Sequence, residues 1–280
     1  MRNNRSAIDR ALLVVGVGVL CFLFAPILVI VVYSFNTGRL LGAWEGAGID
    51  AYQGAFNNSA ILDSVVVSIQ AGILATLIAT LLGTFLGIGI GMRRGAVTSV
   101  IVGVIGLVLV TPEIVQAVSL LPWLTSLVID AGIWPLENGV LRLAIGHSLF
   151  ATAVVSFLVR GRVRSLDPAL AEAAADLYAS QWNGFRQIML PQLLPSIVAG
   201  GLMAFTLSLD NTIISAFVQA TGSTPWPVYV FSSIKAGLRP ELAAMATVML
   251  VGTLLVLAVV IVILRAGGSS SRDVTRTFVG

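Results

Sequence analysis

The chain has 280 residues, 57% of them apolar and only 10% charged, where soluble domains carry about 25% charged residues. With a mean hydropathy of +0.99, that composition excludes a water-soluble fold. The net charge of +3 is no argument for nucleic acid, and no nucleic-acid partner is expected, because in an apolar chain the placement of basic residues matters more than their sum.

A helix needs about 20 apolar residues to cross a hydrocarbon core. Six stretches reach that length, at 11–33, 65–91, 97–127, 140–160, 195–218 and 242–264. The expected fold class is all-α integral membrane, a single transmembrane domain over residues 1–280 with six transmembrane helices. With the N-terminus inside, Arg2, Arg5, Arg10, Arg93, Arg94, Arg160, Arg162, Arg164, Arg186, Arg265, Arg272 and Arg276 fall on the cytoplasmic side. Only Arg39, Arg142, Lys235 and Arg239 then lie outside. The positive-inside rule therefore places both termini in the cytoplasm, as an even number of spans requires.

The first span is too long for a signal-peptide core and reads as a retained anchor. It holds Cys21, the single cysteine, which is expected to be a small buried hydrophobe. The outside segment 34–64, with Trp44, Tyr52 and Phe56, suits a short interfacial stretch. The turn at Met92–Ala96 is tight and basic. In the third span, Thr111, Pro112 and Glu113 join two halves that are each too short to cross. A proline-distorted helix crossing once, with an acidic side chain near mid-membrane, is the expectation. The outside connection from Ile129 to Gly139 is short.

His147 is the single histidine, which rules out a multi-histidine metal cage and reads as a packing or hydrogen-bonding residue. The inside loop 161–194 reads as structured. Asp167 is a fair N-cap, Pro168 stands at the first helical position, and Ala169–Ala179 are good helix formers. A second short helix is expected after Ser180, stopped near Leu190 by Pro191. In the outside loop 219–241, the apolar stretch Val228–Ile234 is too short to span and is expected to dip into or cap the outer mouth. The tail 267–280 is polar and expected to be loosely ordered.

Catalytic chemistry is missing. The single lysine, Lys235, follows no glycine-rich phosphate cradle, and no nucleophile, base and orienting group form a recognisable set. The chain is expected to be a non-enzyme without a cofactor of its own. Two acidic residues, Glu113 and Asp210, stand inside spans. An ionised side chain there costs on the order of 3 kcal/mol, so such residues usually face a cavity and act in it.

The stretch Glu172–Pro191, EAAADLYASQWNGFRQIMLP, resembles the cytoplasmic Glu-Ala-Ala loop of ABC importer permeases. Glu172, Ala173, Ala174, Ile188, Leu190 and Pro191 fall on the spacing of that loop, while its glycine falls on Tyr178. The resemblance implies a type I ABC importer permease-like fold whose coupling helix-turn-helix meets an ATPase subunit through Glu172, Ala173, Ala174, Asp176, Leu177, Tyr178, Ala179 and Ser180. ATP and Mg would then sit on the partner subunits. A positive φ costs tyrosine more than glycine, so the turn is expected to differ here. Leu170, Ala173, Ala174 and Leu177 form an apolar stripe at helical spacing, and Glu172 repels Asp176 four residues on. That pair is eased either by a basic partner or by Arg160, Arg162, Arg164 or Arg186 of the same chain.

Nearly the whole chain is similar to the second permease of polyamine (spermidine or putrescine) importers. Phe24-Ala-Pro26, Tyr33-Ser-Phe-Asn36, Pro112-Glu113, Ala204-Phe-Thr-Leu-Ser-Leu-Asp210, Val230-Phe-Ser-Ser-Ile-Lys-Ala-Gly237 and Pro240-Glu241 carry the likeness. A second acidic residue usual in that family falls on Asn211. The resemblance implies a multi-pass protein of the bacterial plasma (inner) membrane, surrounded by lipid. Its implied partners are a second permease, two ATP-binding subunits and an extracytoplasmic substrate-binding protein.

Glu113 and Asp210 would stabilise a cationic solute in transit, with Ser208 and Asn211 as neutral hydrogen-bonding neighbours. Asp210 could instead cap a broken helix or pair with the second permease. Two other readings stand beside this one. The same importer class could carry another small charged metabolite, such as an aminoalkylphosphonate or an opine, or the chain could be a self-contained secondary transporter, for which it lacks a convincing internal repeat.

Overall fold

Long runs of Leu, Val, Ile and Ala leave a backbone in lipid one local way to satisfy its N–H and C=O groups, which is a helix. The computed structural model describes residues 2–266, nearly all of them helical. In chain order the helices are α1 (Arg2–Tyr33), α2 (Asp50–Asn57), α3 (Ser59–Met92), α4 (Ala96–Val110), α5 (Glu113–Ile129) and α6 (Gly139–Ser165). There follow α7 (Pro168–Asp176), α8 (Gln181–Gly184), α9 (Leu190–Asp210), α10 (Ile213–Val218), α11 (Trp226–Ser233) and α12 (Pro240–Ala266). Among the described residues, five helical stretches are long and apolar enough to cross a membrane, and six if α4 and α5 together make one span. The tail 267–280, with Arg272 and Arg276, lies outside the described residues.

The chain divides into two units. The first comprises Met1–Leu62 and Ser232–Leu254. Its helix α1 is exposed from Ile8 to Ile30, Cys21 included. That corrects the expectation of a buried cysteine: an apolar helix face needs no protein cover where the surroundings are hydrocarbon. The segment after α1 is more built than an interfacial stretch requires. The buried Asn36 side chain donates to Ala43 O at 2.7 Å and accepts from Glu45 N at 3.0 Å and Gly38 N at 3.1 Å. Ser34 Oγ donates to Val31 O at 2.6 Å, which leaves the Tyr52 hydroxyl to donate to it at 2.8 Å.

The second unit, Asp63–Phe231 with Leu255–Gly280, holds the main core. Gly83, Gly87 and Gly91 recur every fourth residue on α3, so one face of that helix has no side chains. A Cβ there would lie 2.6 Å from Val155 Cβ, 2.7 Å from Ser156 O and 2.7 Å from Val163 Cγ1. Helices α3 and α6 therefore touch nearly backbone to backbone, the small-residue packing that lipid favours. Ala79, Val155, Val159, Val163, Leu193 and Ala204 close the core between α3, α6 and α9. A second cluster, with Ala117, Leu124, Leu136, Ile214 and Val218, packs α5 on α10. Near the start of α11 the buried Trp226 donates its backbone N–H to Ser68 Oγ on α3 at 2.7 Å.

Three sequence expectations about helix continuity change. The third span is a broken pair: α4 and α5 meet at 101°. Pro112 disfavours helical geometry at the residue before it, and Thr111 is extended at φ −63°, ψ 126°. The stretch read as a span over 195–218 is helical from 190 but interrupted after Asp210, with α10 restarting at Ile213. Pro191, expected to stop a helix, instead lies inside a continuous helical run over 181–210, because Phe185–Met189 form a wide π turn in which Leu190 N–H reaches back to Phe185 O. That extra residue in the turn makes room for the proline, which follows the π turn as the second residue of α9.

Candidate functional site

Pro112 starts α5 as well as ending α4. The backbone N–H groups of Val115 and Gln116 bond to Pro112 O at 3.0 and 3.3 Å, which puts Glu113 in the first turn of α5. An acidic side chain is favoured at that positive end of the helix dipole. Gln116 Nε2 donates to Val108 O at 2.8 Å and so fastens the elbow from inside.

The second break has no proline. Asn211 Oδ1 accepts from Ile214 N at 3.1 Å and Ser215 N at 3.4 Å, capping α10 as N-cap asparagines do. Asn211 Nδ2 donates to Glu113 Oε1 at 2.6 Å, so the two breaks meet at one hydrogen bond. Ser215 Oγ donates to Asn211 O and lies 2.9 Å from His147 Nε2. With its one proton used there, the hydroxyl must accept from His147 Nε2–H. In a neutral imidazole that leaves Nδ1 as the acceptor for Ser208 Oγ–H at 2.6 Å. His147 on α6 thus ties the end of α9 to the start of α10.

Above this network lies a cavity of about 420 Å³, lined among others by Pro112, Glu113, His147, Phe150, Asp210 and Asn211. Of the four residues the sequence singled out for a solute path, Glu113, Asp210 and Asn211 line it, with Asp210 exposed and Glu113 half-buried. Ser208 does not line it; it is buried against His147. His147 is the hydrogen-bonding residue the sequence suggested, with Ser208 and Ser215 as partners it did not name, while the capping role of Asn211 was missed. The Asn-Thr-Ile-Ile-Ser run after an apolar stretch was the available signal, since asparagine before a restarting apolar run marks a helix N-terminus.

The second candidate region is the loop after α6. Asp167 Oδ1 accepts from Ala169 N at 2.9 Å, capping α7. The end of α7 closes with Leu177 N–H to Ala173 O at 3.1 Å and Ala179 N–H to Ala174 O at 3.0 Å. Between them Tyr178 adopts φ +55°. The left-handed turn that a glycine would make easily is therefore kept, which corrects the expectation that it would differ. The 6→1 bond that spans the residue helps to hold it there. Ser180 Oγ accepts from Asn183 N at 3.3 Å and starts the next helix.

Glu172, Ala173, Asp176, Leu177, Tyr178, Ala179 and Ser180 are exposed, and Ala174 is buried. Tyr178 is 97% exposed, Leu177 81% and Trp182 65%. Three large apolar side chains on one short loop make an unusual surface. Arg162 is engaged with Gln192 O at 3.0 Å, and Arg160 lies over the Phe157 ring at 5.8 Å.

Residues 79–275 match the family model described as a binding-protein-dependent transport system inner membrane component. The chain is 36% identical over 230 residues to the putrescine transport system permease protein PotI of Escherichia coli K12, covering 82% of each chain. It is 32% identical over 255 residues to the spermidine/putrescine transport system permease protein PotC of Escherichia coli K12, covering 91% of each. The PotC protein of Haemophilus influenzae is 32% identical over 233 residues, 83% of this chain and 88% of that one. Among solved structures, a bacterial alginate ABC transporter in complex with alginate pentasaccharide-bound periplasmic protein superposes with a TM-score of 0.70 at 15% identity, over 97% of this chain and 96% of that chain. At that identity the likeness speaks for the fold alone.

Proposed function

The chain belongs to the family of binding-protein-dependent transport inner membrane components, and from that premise we propose that it passes putrescine or spermidine through the cavity where its two helix breaks meet. It is a permease, a non-catalytic membrane subunit of an ABC importer. The observation that carries the cargo reading is the placement of Glu113 and Asp210 on one cavity of about 420 Å³, next to Asn211 and His147. A diamine is a dication at neutral pH. A carboxylate about 4 Å from one ammonium is worth roughly 4 kcal/mol at an effective dielectric of about 20, before desolvation. The likeness to putrescine and spermidine/putrescine permeases supports the same cargo.

In this reading the chain forms half of the pathway and a second permease the other half, with a binding protein delivering the solute at the outer face. Both termini face the cytoplasm, with α4 and α5 crossing once between them. Two ATP-binding subunits hold the ATP and Mg, and one of them docks on the 161–194 loop. Glu172, Ala173, Asp176, Leu177, Tyr178, Ala179 and Ser180 offer the exposed surface for that contact, and Ala174 faces inward beneath it. Arg162 is bonded to Gln192 O and Arg160 lies over the Phe157 ring, so Arg164 and Arg186 of the same chain, or a basic partner, stand to ease Glu172 beside Asp176. Removing apolar Leu177, Tyr178 and Trp182 from water supplies the drive.

Uptake of labelled putrescine and spermidine by the complete transporter in vesicles tests the reading, with an aminoalkylphosphonate as competitor. Saturable polyamine uptake that the phosphonate leaves untouched is expected; absence of uptake for both polyamines overturns the cargo. Glu172→Lys is expected to release the ATP-binding subunits on purification, and a complex that stays whole and active contradicts the docking role.

A further inference from the structure

The cavity holds two acidic side chains, but they are not equally available. Asp210 is exposed, whereas Glu113 is half-buried and already bonded to Asn211 Nδ2 at 2.6 Å. Asn211 uses all its polar groups at once: Oδ1 caps α10, its backbone O accepts from Ser215, and Nδ2 holds Glu113. The polar tie between the first turn of α10 and α5 thereby runs through a single side chain, beside the apolar packing of Ile214 and Val218 on Ala117 and Leu124. The other polar tie of α10 is the bridge through Ser215, His147 and Ser208 to α6 and α9.

We propose that Asn211 is a positioning residue that couples occupancy of Glu113 to the seating of α10: an ammonium group in the cavity displaces the Asn211 amide from the Glu113 carboxylate and releases the polar tie that holds the first turn of α10 against α5. The inference deepens the cationic-solute reading and rests on it. An ammonium makes a stronger hydrogen bond to a carboxylate than a neutral amide does, because both partners are charged. Asp210, one residue before the break, meets the cation first and Glu113 second. The titratable groups facing Asn211 from the packed elements are Glu113 on α5, Asp210 on α9 and His147 on α6. A neutral solute offers no such exchange and leaves α10 seated.

Two variants isolate the contact. Asn211→Ser keeps a good N-cap for α10 but cannot reach Glu113. The swap Glu113→Gln with Asn211→Asp rebuilds the hydrogen bond with donor and acceptor exchanged, and keeps one acidic group at the contact. Both are assayed in the complete transporter with its binding protein, by ATP hydrolysis without solute and by putrescine taken up per ATP.

Asn211→Ser is expected to raise solute-free hydrolysis and to lower uptake per ATP by about tenfold, the scale of losing one hydrogen bond to a charged group. The swap is expected to bring solute-free hydrolysis back down and to recover most of the lost uptake per ATP. Coupling unchanged in Asn211→Ser, or a swap as uncoupled as Asn211→Ser, overturns the proposal. Should the intact transporter take up neither polyamine, the cargo reading fails, while solute-free hydrolysis still decides the role of Asn211.

Discussion

The two helix breaks that meet at the cavity are made in different ways. Between α4 and α5 the break is set by local backbone chemistry: Pro112 lacks an N–H and favours an extended Thr111, and the helices part at 101°. Between α9 and α10 nothing in the backbone chemistry forbids a continuous helix. The interruption is held by the Asn211 side chain, which caps α10, and by His147, which grips Ser208 and Ser215 on either side of it. A break favoured by proline has a local backbone preference behind it that no passing solute removes. A hydrogen-bonded one persists only while its partners are not taken by something else, which makes it the element that a passing solute can move.

The largest effect should come from removing the frame on which both breaks hang. Gly87→Leu would drive a side chain into Ser156 O and Val159, where even a Cβ lies 2.7 and 2.8 Å away. Overpacking of this kind costs about 3 kcal/mol or more where backbone must move. Size-exclusion chromatography in detergent should show loss of assembled permease, and normal assembly would mean that α3 and α6 are not so closely joined.

His147→Ala is next and acts on the second break alone. It strands the buried Ser208 hydroxyl, at about 1–3 kcal/mol for a group of this kind, and leaves Ser215 only its bond to Asn211 O, so the thermal transition of the purified complex should fall. An unchanged transition would remove His147 from the account.

A direct comparison of the breaks follows from Pro112→Ala and Asn211→Ala, with spin labels on exposed positions in a Cys21→Ser background. Labels at Val104 and Val118 should show the α4–α5 angle opening in Pro112→Ala. Labels at Leu207 and Ala216 should show a broadened distance distribution in Asn211→Ala, since cap loss is worth about 1 kcal/mol. If Asn211→Ala leaves the distribution narrow, the second break is as fixed as the first.

Tyr178→Gly should have the smallest effect. It relieves a left-handed tyrosine worth about 1–2 kcal/mol, offset by about 0.5–1 kcal/mol of extra backbone entropy lost by glycine, and should stabilise the isolated permease only slightly. Weaker retention of the ATP-binding subunits in the same variant would assign the ring a contact role.

What the sequence made legible follows the same division. Apolar runs, the Pro112 elbow and the caps at Asp167 and Ser180 are local signals, and local structure answers them. Glu113 and Asp210 were found because acidic residues are rare and costly in an apolar span, and both line the cavity. What stayed hidden depends on partners far apart in the chain. Asn211 reaches Glu113, 98 residues away, and His147 reaches Ser208 and Ser215 at separations of 61 and 68. Pro191 misled because a π turn, set by the packing of the run around it, admits a proline that a regular helix would refuse. Cys21 misled because burial within one chain is a poor guide where hydrocarbon surrounds the helix.

The central claim is that a cation passes the cavity beside the two breaks, and uptake of labelled putrescine by the complete transporter carrying Asp210→Asn tests it most directly. Asparagine keeps the shape of the side chain and removes its charge. With assembly and binding-protein-stimulated ATP hydrolysis matched to the intact chain, uptake should fall at least about tenfold, a solvent-screened remainder of the ammonium–carboxylate attraction. Uptake equal to that of the intact chain would contradict the account, because the exposed acidic group of the cavity would then play no part in passage.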